Sequence, residues 1–313
     1  MKEVPSKPKK NFSDDKTADH PDIRDVTLDA GLYIVSTPIG NLRDITLRAL
    51  DVLAGCDVVL SEDKRVTQKL LNAYGLKPSM MVYHEHNGEK QRPKILSRLE
   101  KDEAVALVTD AGTPAISDPG FKLVREVRRA GYNVIPIPGA SAVLCALVGS
   151  TLPTDRFLFA GFLPPKKAAR QSKLSALAQS DVTLVFYESP RRTKAFMQDI
   201  YAVMGNRDVV IAREMTKKFE EFMYGTADNI LNRLQDKELK GEVVIMIGPP
   251  GKNADPEYND AALDKLLDKA LSDMGLSVRD AAAYVAEQTG VQKRKLYARA
   301  LALNHAGRSD VNF

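Results

Sequence analysis

Three short stretches of glycine, proline and small residues hold the chemistry this sequence can do. They are Ser36-Thr37-Pro38-Ile39-Gly40-Asn41-Leu42, the segment from Thr109 to Gly120 (Thr109-Asp110-Ala111-Gly112-Thr113-Pro114-Ala115-Ile116-Ser117-Asp118-Pro119-Gly120), and Pro136-Ile137-Pro138-Gly139-Ala140-Ser141-Ala142. Each closes an apolar run. Small residues of this kind let a ligand come close to backbone N–H and C=O groups. One such loop alone reads as a tight connection, whereas three together argue for a binding site. The G-x-x-x-x-G-K-[ST] pattern is absent, and so is G-x-G-x-x-G after the first apolar run. The loops are poor in basic residues, which makes a di- or triphosphate a weak match and a neutral or zwitterionic small molecule a better one.

The elements that would carry these loops follow from apolar periodicity. Order is expected to begin at Leu32. Strands are expected at Asp57–Leu60, Met80–His84, Ala104–Thr109 and Asn133–Pro138, and helices at Ile45–Leu53, Lys64–Ala73, Pro93–Lys101 and Phe121–Ala130. This alternation gives an α/β layer with a mostly parallel sheet, whose ligands gather at the carboxyl ends of the strands. Past Thr151-Leu152-Pro153 a second set opens. Its strands are expected at Arg156–Phe162, Val182–Tyr187, Asp208–Arg213 and Glu242–Ile247, with helices at Lys166–Gln179, Arg191–Met204 and Thr226–Leu234. Beyond Gly248-Pro249-Pro250-Gly251 the pattern changes to Ala, Leu, Lys and Asp. Helices over Ser277–Ala286 and Gln292–Leu301, about Thr289-Gly290-Val291, look like a helix-turn-helix. The domain reading is therefore a disordered tail over 1–30, α/β domains over 31–150 and 151–250, and a helical domain over 257–310.

Composition bounds the rest. The chain has 313 residues, 44% hydrophobic and 27% charged, with a net charge of +4 that permits a nucleic-acid partner without demanding one. No run reaches the roughly 18 apolar residues of a membrane span. Cys56 and Cys145 lie far apart within apolar runs and are expected as buried thiols in a reducing cytosol. Met1–Asp25 lacks the apolar core of a secretory signal, so a cytoplasmic protein is expected.

The segments Leu32–Leu42, Asp110–Gly120, Pro138–Ala142 and Tyr187-Glu188-Ser189-Pro190-Arg191-Arg192 resemble, in that order, the successive signatures of the tetrapyrrole methylase superfamily, in particular its branch acting on ribosomal RNA. The resemblance runs from about Gly31 to Pro250, and the last helices resemble the helix-turn-helix tail of many members. It implies two α/β domains with S-adenosylmethionine folded in a cleft between them, and a homodimer. It also implies methyl transfer to a cytidine ribose 2′-hydroxyl of 16S RNA in assembled small ribosomal subunits. Tetrapyrrole methylases keep a G-x-G-like first loop. Ser36 and Pro38 stand there instead, which favours the RNA branch. By motif position the cofactor contacts would be Pro38, Ile39, Gly112, Thr113, Ile116, Ser141, Ala142, Tyr187 and Ala212.

A ribose hydroxyl is a weak nucleophile, so a base near it would help. Glu62, Asp63, Glu188 and Glu214 are the acidic candidates at strand ends. Glu188 and Asp63 are taken as catalytic, with helix capping or a salt bridge to Arg191 or Arg192 as the alternative role for Glu188. Phosphate-tracking cations are expected in Lys64 and Arg65, in Lys166, Lys167, Arg170 and Lys173, in Arg191, Arg192 and Lys194, and in Lys293, Arg294, Lys295 and Arg299. From Leu276 to Ala302 five basic residues face two acidic ones. His84-Glu85-His86 puts two histidines on one strand face, but with His20 and His305 the only others and no cysteine pair nearby, a polar patch is expected and not a metal site. Two alternatives remain at this stage: methylation of a tetrapyrrole or of a modified protein side chain, and a non-catalytic ribosome-binding protein.

Overall fold

The computed structural model describes residues 23–234, 239–250, 260–289 and 291–309. They fall into two compact units. One runs to Ala146 and takes in the later segment Glu214–Glu221; the other comprises Leu147–Arg213 and the chain from Phe222 onward. The reading of residues 1–22 and of Gly290 as tail and turn lies outside the described residues.

The first unit alternates strand and helix: β1 (Gly31–Val35), α1 (Leu47–Gly55), β2 (Val58–Ser61), α2 (Lys64–Ala73), β3 (Met80–Val82), α3 (Gly88–Leu99), β4 (Ala104–Leu107), α4 (Phe121–Arg129) and β5 (Val134–Ile137). The strands pair in the order β3-β2-β4-β1-β5, and every adjacent pair is parallel. Parallel strands joined by right-handed crossovers place their helices on opposite faces when the chain moves in opposite directions along the sheet. The side chains show this. Tyr33, Val35, Val59 and Ala106 pack with Ala49, Val52 and Leu53 of α1 and Leu71 of α2. Their neighbours Leu32, Ile34, Leu60 and Leu107 pack with Ile95 and Leu99 of α3 and Leu123 and Val127 of α4. β1 and β4 are therefore apolar at every position because both faces are covered. Between these two central strands the following helices leave to opposite faces, and that is where an open sheet forms a crevice.

The second unit contains β6 (Phe157–Phe162), α6 (Lys167–Leu177), β7 (Thr183–Glu188), α7 (Pro190–Met204), β8 (Asp208–Arg213), β9 (Glu221–Thr226), α8 (Ala227–Arg233) and β10 (Val243–Ile247), with sheet order β6-β7-β10-β8-β9. β6 pairs parallel to β7, but β10 runs antiparallel to both β7 and β8, so this sheet is mixed. Arg170, grouped with the surface cations by its sequence neighbours, is 5% exposed. Its guanidinium meets Asp199 at 2.6 Å and donates to the Pro165 carbonyl, while Gln171 donates to the other Asp199 oxygen.

Some elements escaped the sequence reading. α5 (Ala142–Gly149) has no polar face for a 3.6-residue period to reveal. β9 starts directly after a charged run and ends through Gly225. The last segment has three helices where two were expected: α9 (Asp260–Ser272), α10 (Val278–Thr289) and α11 (Lys293–Ser309). Leu263 and Leu267 of α9 supply part of their shared core with Ala281, Val285 and Leu296. Among the described residues no helix is long and apolar enough to cross a membrane.

Removing one partner of a buried ion pair leaves an uncompensated charge. Asp199→Ala is expected to lower the urea unfolding free energy by about 3–5 kcal/mol, and Arg170→Met combined with Asp199→Leu to recover most of it.

Candidate active site at the carboxyl ends of the first sheet

The loops after β1, β4 and β5 are tied into one another by short-range polar contacts. Thr37 N–H donates to the Gly112 carbonyl at 2.8 Å, and Gly112 N–H returns the bond to Thr37 at 3.0 Å. The Thr37 hydroxyl donates to the Thr109 carbonyl at 3.0 Å. Thr113 Oγ1 reaches the Ala140 carbonyl at 3.2 Å and lies 3.0 Å from Ser36 Oγ. The loops thus form one structure spanning the tips of three strands.

Glycine is required at two of these positions for different reasons. Gly112 has φ +84°, in the left-handed region. At Gly139 a Cβ would lie 2.8 Å from the Ser36 Cβ, so a side chain there forces two loops apart. Ala115 and Ser117 also take φ of +69° and +60° with no glycine to ease them. Of the contact candidates, Pro38, Ile39, Gly112, Thr113, Ile116, Ser141 and Ala142 lie on these loops, whereas Tyr187 and Ala212 belong to the second unit. Ile39 and Gly112 are buried, Thr113, Ser141 and Ala142 half-buried, and Ile116 exposed at the tip.

Four carboxylates stand beside these loops. Asp63 caps α2, accepting from Arg65 N–H at 2.8 Å and pairing with the Arg65 guanidinium at 2.7 Å. Those bonds hold its carboxyl well below the usual range, at about 2. It is committed to Arg65 and makes a poor proton acceptor. Glu62 is half-buried, its Oε2 3.5 Å from the Thr109 hydroxyl. Burial raises its pKa, with Asp110 adding to the effect. Asp118 is pushed up to about 6, first by burial and then by Glu62, and is partly relieved by the Thr109 hydroxyl. Asp110 is also raised by burial, while accepting from Asp63 N–H at 3.3 Å. Asp110 and Asp118 carried no sequence signal beyond membership of the loop.

The segment Glu214–Glu221, which the sequence did not connect to this unit, packs on the first loop. Asn41 N–H donates to Thr216 Oγ1 at 3.0 Å. Such a contact, 175 residues apart in the chain, has no local signature. Glu214 itself pairs with Lys217 at 3.1 Å.

In the second unit Glu188 is 3% exposed. Arg192 approaches its Oε2 at 3.1 Å and Ser189 N–H donates to Oε1 at 2.7 Å. Burial raises its pKa against those two contacts. Of its two candidate roles, the salt bridge is the one this geometry displays. Arg192 also donates to the Leu163 carbonyl at 2.9 Å, which removes it from the solvent-facing cations. Arg191, Lys166 and Lys167 are exposed, as are Lys64 and Arg65 of the first unit. Tyr187 is half-buried with its ring edge-on to Phe159 and Phe162, and Ala212 is fully buried within β8.

On α11, Lys293 and Arg294 are exposed, Lys295 lies 3.9 Å from Asp260, and Arg299 is spent on Asp264 and Asp260 at 2.8 Å. His84 and His86 lie beyond the end of β3, in the turn before α3, and His84 Nδ1 accepts from Asn87 N–H. Their shared strand face does not exist. Among the described residues no group of three or more His, Cys, Asp or Glu is arranged to hold a metal ion. Cys56 and Cys145 are free; Cys56 is buried and its thiol pushed up to about 12, whereas Cys145 is only half-buried.

A family model described as tetrapyrrole (corrin/porphyrin) methylases matches residues 31–231. The chain belongs to this methylase family. A second model, an RsmI C-terminal HTH domain, matches residues 257–304. Among curated relatives, the ribosomal RNA small subunit methyltransferase I of Mesorhizobium japonicum is 46% identical over 88% of this chain and 93% of its own. The protein of that name from Escherichia coli O157:H7 is 43% identical over 86% and 94%. Solved structures share the fold. A cobalt precorrin-4 methyltransferase superposes with TM-score 0.53 at 22% identity, over 69% of this chain and 94% of that one. A Thermus thermophilus uroporphyrin-III C-methyltransferase complexed with S-adenosylhomocysteine gives 0.52 at 18%, over 70% and 97%.

Membership makes this chain a methyltransferase. The three knitted loops of this methylase contain no Lys or Arg. Backbone groups and nearby carboxylates suit a zwitterion bearing a sulfonium better than a polyphosphate.

Gly139→Ala is expected to weaken S-adenosylmethionine binding in calorimetry at least tenfold while leaving the far-ultraviolet spectrum unchanged. For Asp118 the folded-state pKa lies above its ordinary 3.8. Its favourable contribution to stability is therefore complete below about pH 4 and fades as pH rises through about 6. Asp118→Asn is expected to melt higher than the parent at pH 7.5, by about 1 kcal/mol or less after solvent screening, and the difference to close by pH 4.

Proposed function

We propose that this methyltransferase modifies a cytidine ribose 2′-hydroxyl of 16S RNA in the small ribosomal subunit. The observation that carries the reading is the basic-residue-free assembly of loops at the β1–β4 crevice, in a chain whose relatives are named for methylating small-subunit ribosomal RNA. Pro38, Ile39, Gly112, Thr113, Ile116, Ser141 and Ala142 of the first unit, with Tyr187 and Ala212 of the second, are the proposed cofactor contacts.

When bound, S-adenosylmethionine supplies an electrophilic methyl group and needs no further activation by the protein. The chain's own work is alignment of donor and acceptor and removal of the hydroxyl proton. Glu62 is the better-placed acceptor for that proton. It is half-buried, forms no ion pair with Lys or Arg among the described residues, and is raised in pKa by burial and then by Asp110, whereas Asp63 and Glu188 are held by arginines.

Lys64, Arg65, Lys166, Lys167, Arg191, Lys293 and Arg294 are the proposed phosphate contacts, being exposed cations on helix starts, and the segment 257–310 is read as an RNA-contacting domain. A cytoplasmic homodimer acting on assembled subunits completes the proposal. α5 supports the second copy, since this apolar helix leaves Val148 84% and Leu144 55% exposed.

Tritiated methyl transfer to small subunits from an undermethylated strain should exceed transfer to free 16S RNA and to tetrapyrrole precursors. The labelled nucleotide should resist alkaline hydrolysis, as a 2′-O-methyl ribose does. Label in a base, or on a tetrapyrrole, overturns the assignment. Glu62→Gln is expected to lower kcat by about 10²-fold with cofactor affinity within twofold of the parent.

A further inference from the structure

The turn between β8 and β9 carries features that neither its own sheet nor the cofactor loops require. It is built stiffly. Glu214 and Thr216 adopt φ of +50° and +65°, a region non-glycine residues seldom occupy. Three internal bonds hold this shape: Lys217 Nζ to Glu214 at 3.1 Å, Lys217 N–H to the Glu214 carbonyl at 3.0 Å, and Thr216 N–H to Glu220 Oε2 at 2.6 Å. The turn is also locked to the loop after β1. Asn41 N–H donates to Thr216 Oγ1, and a Cβ on Gly40 would fall 2.5 Å from Lys217 Cγ.

What this rigid base presents is an aromatic ring in water. Phe219 is 66% exposed, and the Lys218 ammonium stands 5.7 Å from its centroid. Of the turn's carboxylates, Glu214 pairs with Lys217, and Glu220, itself exposed, accepts from the Thr216 N–H. Lys218 is exposed and makes no ion pair among the described residues, which leaves its ammonium available beside the ring. Arg43, exposed two residues beyond the anchored Asn41, adds a second cation to the loop that the turn grips.

An exposed ring with a cation beside it matches the two parts of an unpaired nucleotide, whose base offers a flat face and whose backbone offers a phosphate. We propose that Phe219 stacks on an unpaired base of the RNA substrate and Lys218 contacts its phosphate, so that this turn positions the RNA relative to the loop after β1. The proposal rests on the RNA methyltransferase reading above. It assigns a positioning role only, since nothing places Phe219 against the reacting atoms. The stiff base matters to that role: a ring carried on a mobile loop would bind RNA without fixing where the next ribose falls.

The test compares the parent with Phe219→Ala, Phe219→Trp and Lys218→Ala in steady-state methylation of undermethylated small subunits. Calorimetry with S-adenosylmethionine and sedimentation accompany it. Phe219→Ala should raise KM for subunits about tenfold or more, with kcat within threefold and cofactor affinity unchanged. Phe219→Trp should restore KM, and Lys218→Ala should flatten its salt dependence. An unchanged KM in Phe219→Ala, an equal loss of cofactor affinity, or dissociation of an oligomer overturns the proposal, the last by showing a protein interface. A parent inactive on subunits sinks the RNA reading and this inference with it. An active parent with an indifferent Phe219→Ala sinks the inference alone.

Discussion

Two backbone hydrogen bonds between Thr37 and Gly112 close a gap that the topology opens. β1 and β4 are neighbours, yet their helices depart to opposite faces, so their loops have no reason to meet. The exchanged N–H···O bonds, with the Thr37 hydroxyl on the Thr109 carbonyl, hold the loops as one piece. Gly112 can serve because its φ of +84° lies in the left-handed region that side-chain-bearing residues seldom adopt, while a Cβ there would meet Ile39 only at an ordinary contact distance of 3.5 Å. The third loop joins through Thr113 and through the contact of Gly139 with Ser36. A binding surface made largely of backbone depends on such bracing, because it has few side chains to adjust.

The electrostatics of the same region come from what is missing. The loops themselves hold no cation, and burial is the largest cause raising Glu62, Asp110 and Asp118. Asp110 adds to it at Glu62, Asp63 at Asp110, and Glu62 with Asp110 at Asp118, against smaller relief from His84 at Glu62 and Arg65 at Asp110. On the proposed reading, a positively charged ligand gains from that arrangement and Glu62 is a more basic acceptor for a hydroxyl proton than an ordinary carboxylate. Asp63, one residue from Glu62, behaves oppositely because Arg65 folds back onto it. Adjacent carboxylates thus differ in role through one arginine.

The sequence was most legible where a signal was local. Lys64–Ala73 and Asp208–Arg213 emerge with the expected bounds, the first because Asp63 caps it and its apolar residues keep helical spacing. The three loops could be found from composition alone, and their place behind strands from the alternation of elements. Burial of charge was not legible. Arg170, Arg192 and Arg299 sit in basic clusters like their exposed neighbours, and only the fold shows that each is occupied by a carboxylate. Contacts across long chain separations were equally hidden. Nothing near Gly40 announces Lys217, and nothing in the all-apolar α5 announces a helix.

That last contact sets an order for the molecule's birth. A chain growing from its amino end completes β1 to β5 by Ile137, and the parallel sheet can then close on both faces. The turn at Gly40 and Asn41 still lacks its partner, because Thr216 has not been synthesised. Until β8 is made and the chain doubles back, the newborn first unit has its sheet but an unbraced loop after β1, and that brace arrives only with the second half of translation.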